Sequence, residues 1–203
     1  MERQTRPSLP AKRVICPLTI TLICLALALF SETLTESLQY HRIGINNGEW
    51  WRLLSAHLVH LGWGHLWMNL IGLWLIWSLF INHTQIYWCT FIFIPLIIGT
   101  SAGLWFFTPE LIWYRGLSGA LHGLLIWALL RRFKSEPLLS AGLLLALAIK
   151  IGWEQWHGPM PGSESMANGR VVVESHLYGA LSGVLIWIMD IILKTNRNRK
   201  TSD

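Results

Sequence analysis

The sequence predicts an all-α membrane protein, one bundle of six transmembrane helices, and three observations carry that expectation. The 203 residues are 53% hydrophobic and only 13% charged, against roughly 25% charged in an ordinary soluble domain. From Leu53 to Pro109 no Asp, Glu, Lys or Arg occurs, a run of 57 residues, whereas a bilayer core of ~30 Å takes about 20 helical residues to cross. The basic residues, which give a net charge of +5, cluster at the ends of apolar blocks, where a membrane surface would meet them. These features argue against a water-soluble globule. They also argue against a disordered chain, which needs low hydrophobicity, and against a nucleic-acid binder, which needs a continuous basic stripe.

The elements follow in order. Val14–Phe30 is the first apolar run. The charge-free block must hold two spans, with the break best placed at Asn82-His83-Thr84-Gln85, leaving helices near 57–81 and 86–107. Gly116–Leu130, Leu138–Trp153 and Val171–Leu193 complete the six. The expected organisation is a basic segment over 1–13, one membrane domain over 14–193 and a basic tail over 194–203. Eleven Lys and Arg fall in the amino-terminal segment, the Arg131–Lys134 loop and the tail, but the alternate loops hold only Arg42, Arg52, Arg115 and Arg170. The positive-inside rule then puts both termini in the cytoplasm and the loops around 31–56, 108–115 and 154–170 outside. A cleaved signal peptide is the other reading of the first 30 residues, because Ala26-Leu27-Ala28 resembles a cleavage site. Cys16, Cys24 and Cys89 lie in apolar runs without metal-binding spacing and read as packing residues.

Polar side chains inside spans are costly and turn toward a partner or a wet cavity, so they are the functional candidates. His65 and Asn69, four residues apart, share one face of the second helix. They suit either interhelical hydrogen bonding or a common target. His57 and His60 lie nearer the outer end and read as interfacial or loop-packing residues. The fourth helix is too short to span: from Ser118 to Leu130 it has 13 residues and rises ~20 Å. Its amino terminus therefore stops beneath the outer face, where irregular backbone is tolerated only beside a cavity or under protein.

That buried start reads Gly116-Leu117-Ser118-Gly119. Glycines around a serine permit close backbone approach, and a helix start supplies free N–H donors for a developing anion. The arrangement suits a serine nucleophile, and equally a small-residue packing face through Gly119 and Gly123. His65, about 8 residues below a helix start near His57, and His176, about 5 below Val171, fall at a depth similar to Ser118. Gly179 and Gly183, beginning one turn after His176, form a second small face that would bring His176 beside Ser118 if it met the first.

In this combination the sequence resembles the rhomboid intramembrane serine proteases. The resemblance rests on Glu49-Trp50-Trp51-Arg52, on His60, on His65-x-x-x-Asn69, on Gly116-x-Ser118-Gly119 opening a short helix, and on His176-x-x-Gly179, in family order. It implies a rhomboid-like bundle with Ser118 as nucleophile and His176 as general base, a dyad without an acid. It also implies an oxyanion hole made by His65, Asn69 and the Ser118 N–H. Trp50 and Arg52 are similar to the family's Trp-Arg motif in the first outer loop. Gly116, Gly119, Gly179 and Gly183 would support the site.

Where well-known rhomboids often carry a Tyr four residues after the serine, this sequence has His122. That form, in a chain of about 200 residues, resembles the rhombosortase branch. The implied partners are membrane lipids and the transmembrane carboxy-terminal segments of exported bacterial proteins, marked by Gly-Gly, an apolar helix and a basic tail. No cofactor, metal or nucleic acid is implied. His122 is also one turn from Ser118 and within reach as an alternative base. Competing readings are a general rhomboid protease of other single-span substrates and an inactive helix-binding relative. A metal or haem site on His57, His60, His65, His122 and His176 is a further one, though no H-E-x-x-H occurs. Lys150, Glu174 and Asp190 read as interfacial charges.

Overall fold

A backbone in hydrocarbon has no water to bond, so its N–H and C=O groups must pair within the segment, and helices follow. The computed structural model describes residues 11–30, 32–81 and 87–200. In chain order its elements are α1 (Ala11–Ala28), α2 (Glu32–Leu38), β1 (Tyr40–His41), α3 (Arg42–Asn46), α4 (Arg52–Ser55) and α5 (Trp63–Ile76). A π-helical turn, Trp77–Ile81, extends α5. There follow α6 (Tyr87–Phe107), β2 (Trp113–Tyr114), α7 (Ser118–Arg132), α8 (Pro137–His157), α9 (Ser163–Ala167) and α10 (Val173–Lys200).

Among the described residues, three stretches are long and apolar enough to cross a membrane, Trp63–Ile81, Pro137–His157 and Val173–Thr195, while Val14–Ala28 and Phe91–Phe107 are shorter apolar helices. The outer faces carry Ile71, Leu75 and Leu79, Phe106 and Phe107, and Leu181, Leu185 and Ile192, all exposed. Apolar faces of that extent are unfavourable in water and suited to lipid. This is a membrane protein.

The centre belongs to α7, whose 15 residues rise ~22 Å. Its buried residues pack one way against Leu66, Leu70, Leu73 and Leu96. Through Ile126 and Leu129 it packs the other way against Leu147, Ile151 and Ala180. Its most extensive partner is α10.

A brace ties the segment before α5 to the one between α6 and α7. Tyr40 pairs with Tyr114 and His41 with Trp113 in a short antiparallel ladder. Arg42 donates to the carbonyls of Leu104 (2.9 Å), Trp105 (3.1 Å), Thr108 (2.8 Å) and Leu111 (2.9 Å), at and beyond the end of α6. A helix leaves its last carbonyls unpaired, and a planar guanidinium with five donors fits that place.

Some boundaries differ from expectation. The second helix begins at Trp63 rather than near residue 57. His57 Nε2 bonds the Ser101 hydroxyl at 2.9 Å, the Ala56 carbonyl accepts the Gly116 N–H at 2.9 Å, and the backbone is extended at Gly62 before α5 starts. Apolar residues from 58 to 61 therefore pack from a turn. His65 thus lies in the first turn of α5, and the deeper position reckoned from residue 57 is corrected. The expected break at 82–85 lies outside the described residues. Cys16 is disulfide-bonded rather than a mere packing residue, Cys24 is free and buried, and the Cys89 side chain lies outside those described.

Candidate active site

The approach to Ser118 is fixed from the loop side. The Tyr114 hydroxyl donates to the Gly116 carbonyl. Burial pushes that phenol up to about 12, so it stays protonated and able to donate. Gly116 has φ +122°, and a Cβ there would come within 2.5 Å of His65 Cε1 and 2.8 Å of His65 Nε2. Glycine is required twice over, by the left-handed backbone and by the imidazole filling the space of a side chain. Ser118 is then the first residue of α7, where backbone amides point outward unpaired by the helix.

Glycines also set the distance between α7 and α10. A Cβ on Gly179 would strike the Gly119 carbonyl, one on Gly183 the Gly123 carbonyl, and one on Gly123 the Gly179 carbonyl. A Cβ on Gly119 would come within 2.7 Å of the Ser175 carbonyl. The backbones touch along two turns. His176, in the first turn of α10, consequently meets the start of α7, and its Nε2 lies 3.0 Å from Ser118 Oγ.

The other ring nitrogen, His176 Nδ1, lies 2.8 Å from Glu154 Oε2 on α8. A carboxylate has no proton to give, so Nδ1–H donates and Nε2 turns its lone pair toward the serine hydroxyl. Lys150 Nζ is 2.7 Å from the second Glu154 oxygen and 3.1 Å from His122 Nε2. His122 Nδ1 donates to the Ser118 main-chain carbonyl at 2.8 Å, and its ring stacks on His176 with centroids 4.2 Å apart and planes 17° apart. The proton of His122 is thus committed to a carbonyl, and the ring nitrogen hydrogen-bonded to the Ser118 hydroxyl is that of His176.

His65, Asn69, Ser118, His122, Lys150, Glu154 and His176 line one cavity of about 350 Å³, with Met160, Ser163 and Ala167 from the α9 segment also on its wall. Asn69 Nδ2 donates to the His65 carbonyl at 3.1 Å. His60 stands edge-on to His65 at 5.2 Å. Burial pushes the His57 imidazole down to about 3. Burial, reinforced by its histidine neighbours, does the same to His60. Both are neutral packing groups at neutral pH.

Trp50 and Arg52 lie apart from this cavity. Trp50 is 60% exposed. Arg52 is buried in an ion pair with Glu49 and donates to the carbonyls of Glu36 (2.7 Å) and Gln39 (3.0 Å), so it holds the segment between α2 and α4 rather than the reacting groups.

Sequence reasoning missed Glu154 and misread Lys150 as interfacial. The available signal was the spacing Leu147, Ile151, Glu154, which puts the carboxylate on the buried stripe of α8. His122, Glu154 and His176 also present donor atoms within 4.8 Å of one another, a grouping with the size of a cation site. The Lys150 ammonium already sits between two of them.

The sequence matches the Rhomboid domain family over residues 47–192. No curated protein matches it. With well over half of its length matched, and with a serine and a histidine in contact at the head of a short central helix, the chain belongs to the rhomboid family of intramembrane serine proteases.

Proposed function

We propose that the protein is an intramembrane serine endopeptidase of the rhombosortase kind, which cuts exported proteins near a Gly-Gly motif ahead of a carboxy-terminal apolar helix and basic tail. The observation that carries the proteolytic reading is the 3.0 Å approach of Ser118 Oγ to His176 Nε2 on the wall of a cavity. The substrate reading rests on His122 within Gly116–Gly123. The setting is a bacterial inner membrane with six spans, both termini cytoplasmic and the cavity open to the periplasmic side. The placement of Lys and Arg supports that orientation.

In the reaction Ser118 Oγ attacks the peptide carbonyl as its proton passes to His176 Nε2, and the proton then goes to the leaving amine as the C–N bond breaks. Water repeats the cycle on the acyl-enzyme. The negative charge on the former carbonyl oxygen is met by the Ser118 N–H, His65 and Asn69. Losing one such donor costs roughly 2.7–4 kcal/mol of transition-state stabilisation. Asn69→Ala is therefore expected to lower kcat by about 10²–10³-fold with little change in the melting temperature in detergent. Wild-type kcat in that variant would remove Asn69 from the oxyanion hole. A Gly-Gly pair suits the cut because each glycine lowers helix propensity by about 1 kcal/mol relative to alanine, which exposes the amide otherwise locked in the substrate helix.

The test is cleavage in proteoliposomes of three fusions: one with the Gly-Gly, helix and basic tail, one with Leu-Leu in place of Gly-Gly, and one with an unrelated single span. Preferential cutting of the first, abolished by Ser118→Ala, is the expected result. Equal cutting of all three makes the protein a general rhomboid protease. No cutting of any of them, with wild type and Ser118→Ala alike, overturns the enzymatic reading in favour of a helix-binding protein.

A further inference from the structure

We propose that Glu154 is a positioning residue for the reaction, completing a Ser118–His176–Glu154 triad in which Lys150 keeps the carboxylate paired. The inference rests on the protease reading above and goes beyond the two-residue site that the family resemblance implies.

Both carboxylate oxygens have one partner each: Oε2 lies 2.8 Å from His176 Nδ1, and Oε1 lies 2.7 Å from Lys150 Nζ. The Glu154 side chain is only 2% exposed, while that of Lys150 is 34% exposed, so the pair reaches from the protein interior to the cavity. Burying a carboxylate is costly unless it is paired and hydrogen-bonded. That cost is met where the carboxylate is in direct hydrogen-bond contact with the base. Glu154 accepts the Nδ1–H, fixes the tautomer with Nε2 free, and faces the positive charge that the ring acquires. When the serine proton moves to Nε2 as the Oγ–C bond forms, the imidazolium lies between the carboxylate and the tetrahedral oxyanion. Glu154 takes no proton in the step, and the Nε2 proton leaves on the amine. His122, stacked on the same ring and bonded to both Lys150 and the Ser118 carbonyl, prevents the ring from rotating away.

The competing role is a tether: few α8 residues are buried, and Glu154 is one of them. A tether predicts lost stability but an unchanged pH profile. The titratable groups facing His176 are Glu154 and Lys150 from α8, His122 from α7, His65 from α5 and Glu174 from its own helix. Of these, the Glu154→Gln substitution alters one.

The experiment measures kcat, KM and the pH dependence of kcat/KM on the fusion substrate for wild type, Glu154→Gln and Glu154→Asp, with Ser118→Ala as the control. Glu154→Gln is expected to lose about 10²–10⁴-fold in kcat with KM little changed. Its acid limb should move to lower pH, because a neutral amide no longer favours the imidazolium. Glu154→Asp should recover part of the rate. Wild-type kcat or an unmoved acid limb in a Glu154→Gln protein of normal melting temperature overturns the inference, and leaves the protease reading intact if cleavage still depends on Ser118. The unaltered protein supplies an independent arm. With ¹⁵N-labelled histidine it should show a far-downfield Nδ1–H proton resonance that disappears in His176→Ala, and absence of that resonance also overturns the assignment.

Discussion

Replacing His176 by alanine is expected to lower turnover by about 10⁶-fold, to the floor reached by Ser118→Ala, and the double variant should be no slower than either. Nucleophile and base act as one unit, so their losses do not add. The geometry gives His176 this weight: its Nε2 faces the hydroxyl at 3.0 Å, while the Nδ1 of His122 is spent on the Ser118 carbonyl. His122→Ala should therefore keep a Ser118-dependent activity well above that floor, with a loss confined to ring positioning. Single-turnover cleavage and the rate of Ser118 labelling by a fluorophosphonate probe measure both effects. A His176→Ala protein that retains activity while His122→Ala is dead would exchange the two assignments.

A methyl group on Gly179 should cost about 1–3 kcal/mol in stability and abolish most activity, because it meets the main chain of Gly119 and not the flexible end of a side chain. The natural comparison is Gly142→Ala on α8, where an added Cβ meets nothing within 4 Å. There, relief of backbone entropy should make the protein slightly more stable, by roughly 0.5–1 kcal/mol. The two substitutions are chemically identical and differ in sign, which melting curves in one detergent will show. Similar melting temperatures would mean that the α7–α10 contact is looser than described.

Much of the helical framework could be read from apolar runs. The short stretch between Arg115 and Arg131 predicts a helix from Ser118 to Leu130, and α7 starts at Ser118 and runs on through Arg132. The turn from 57 to 62 was not legible, since Leu58, Val59 and Leu61 look like helix residues to any hydropathy argument. What bends the chain there is a bond from His57 to Ser101, 44 positions away. Glu154 escaped for a related reason. It falls where an apolar run ends, and a charge in that place reads as surface, whereas its partner His176 stands on another helix 22 positions on. Residues of one motif were visible in sequence because they sit one turn apart on a single helix, as His65 and Asn69 do. Relations across helices, such as the backbone-to-backbone approach of Gly119 and Gly179, were inferable only as a possibility of shape.

The strip of chain that delivers Ser118 is immobilised chiefly by residues 39–56: Arg42 on Leu111, Gln39 on Arg115 at 2.8 Å, and Ala56 on Gly116. This segment works as a splint on the loop that leads into α7. Damage to it, by proteolytic nicking or by loss of the Arg42 guanidinium, will be felt first as a misaimed nucleophile in a protein whose lipid-facing surface is untouched.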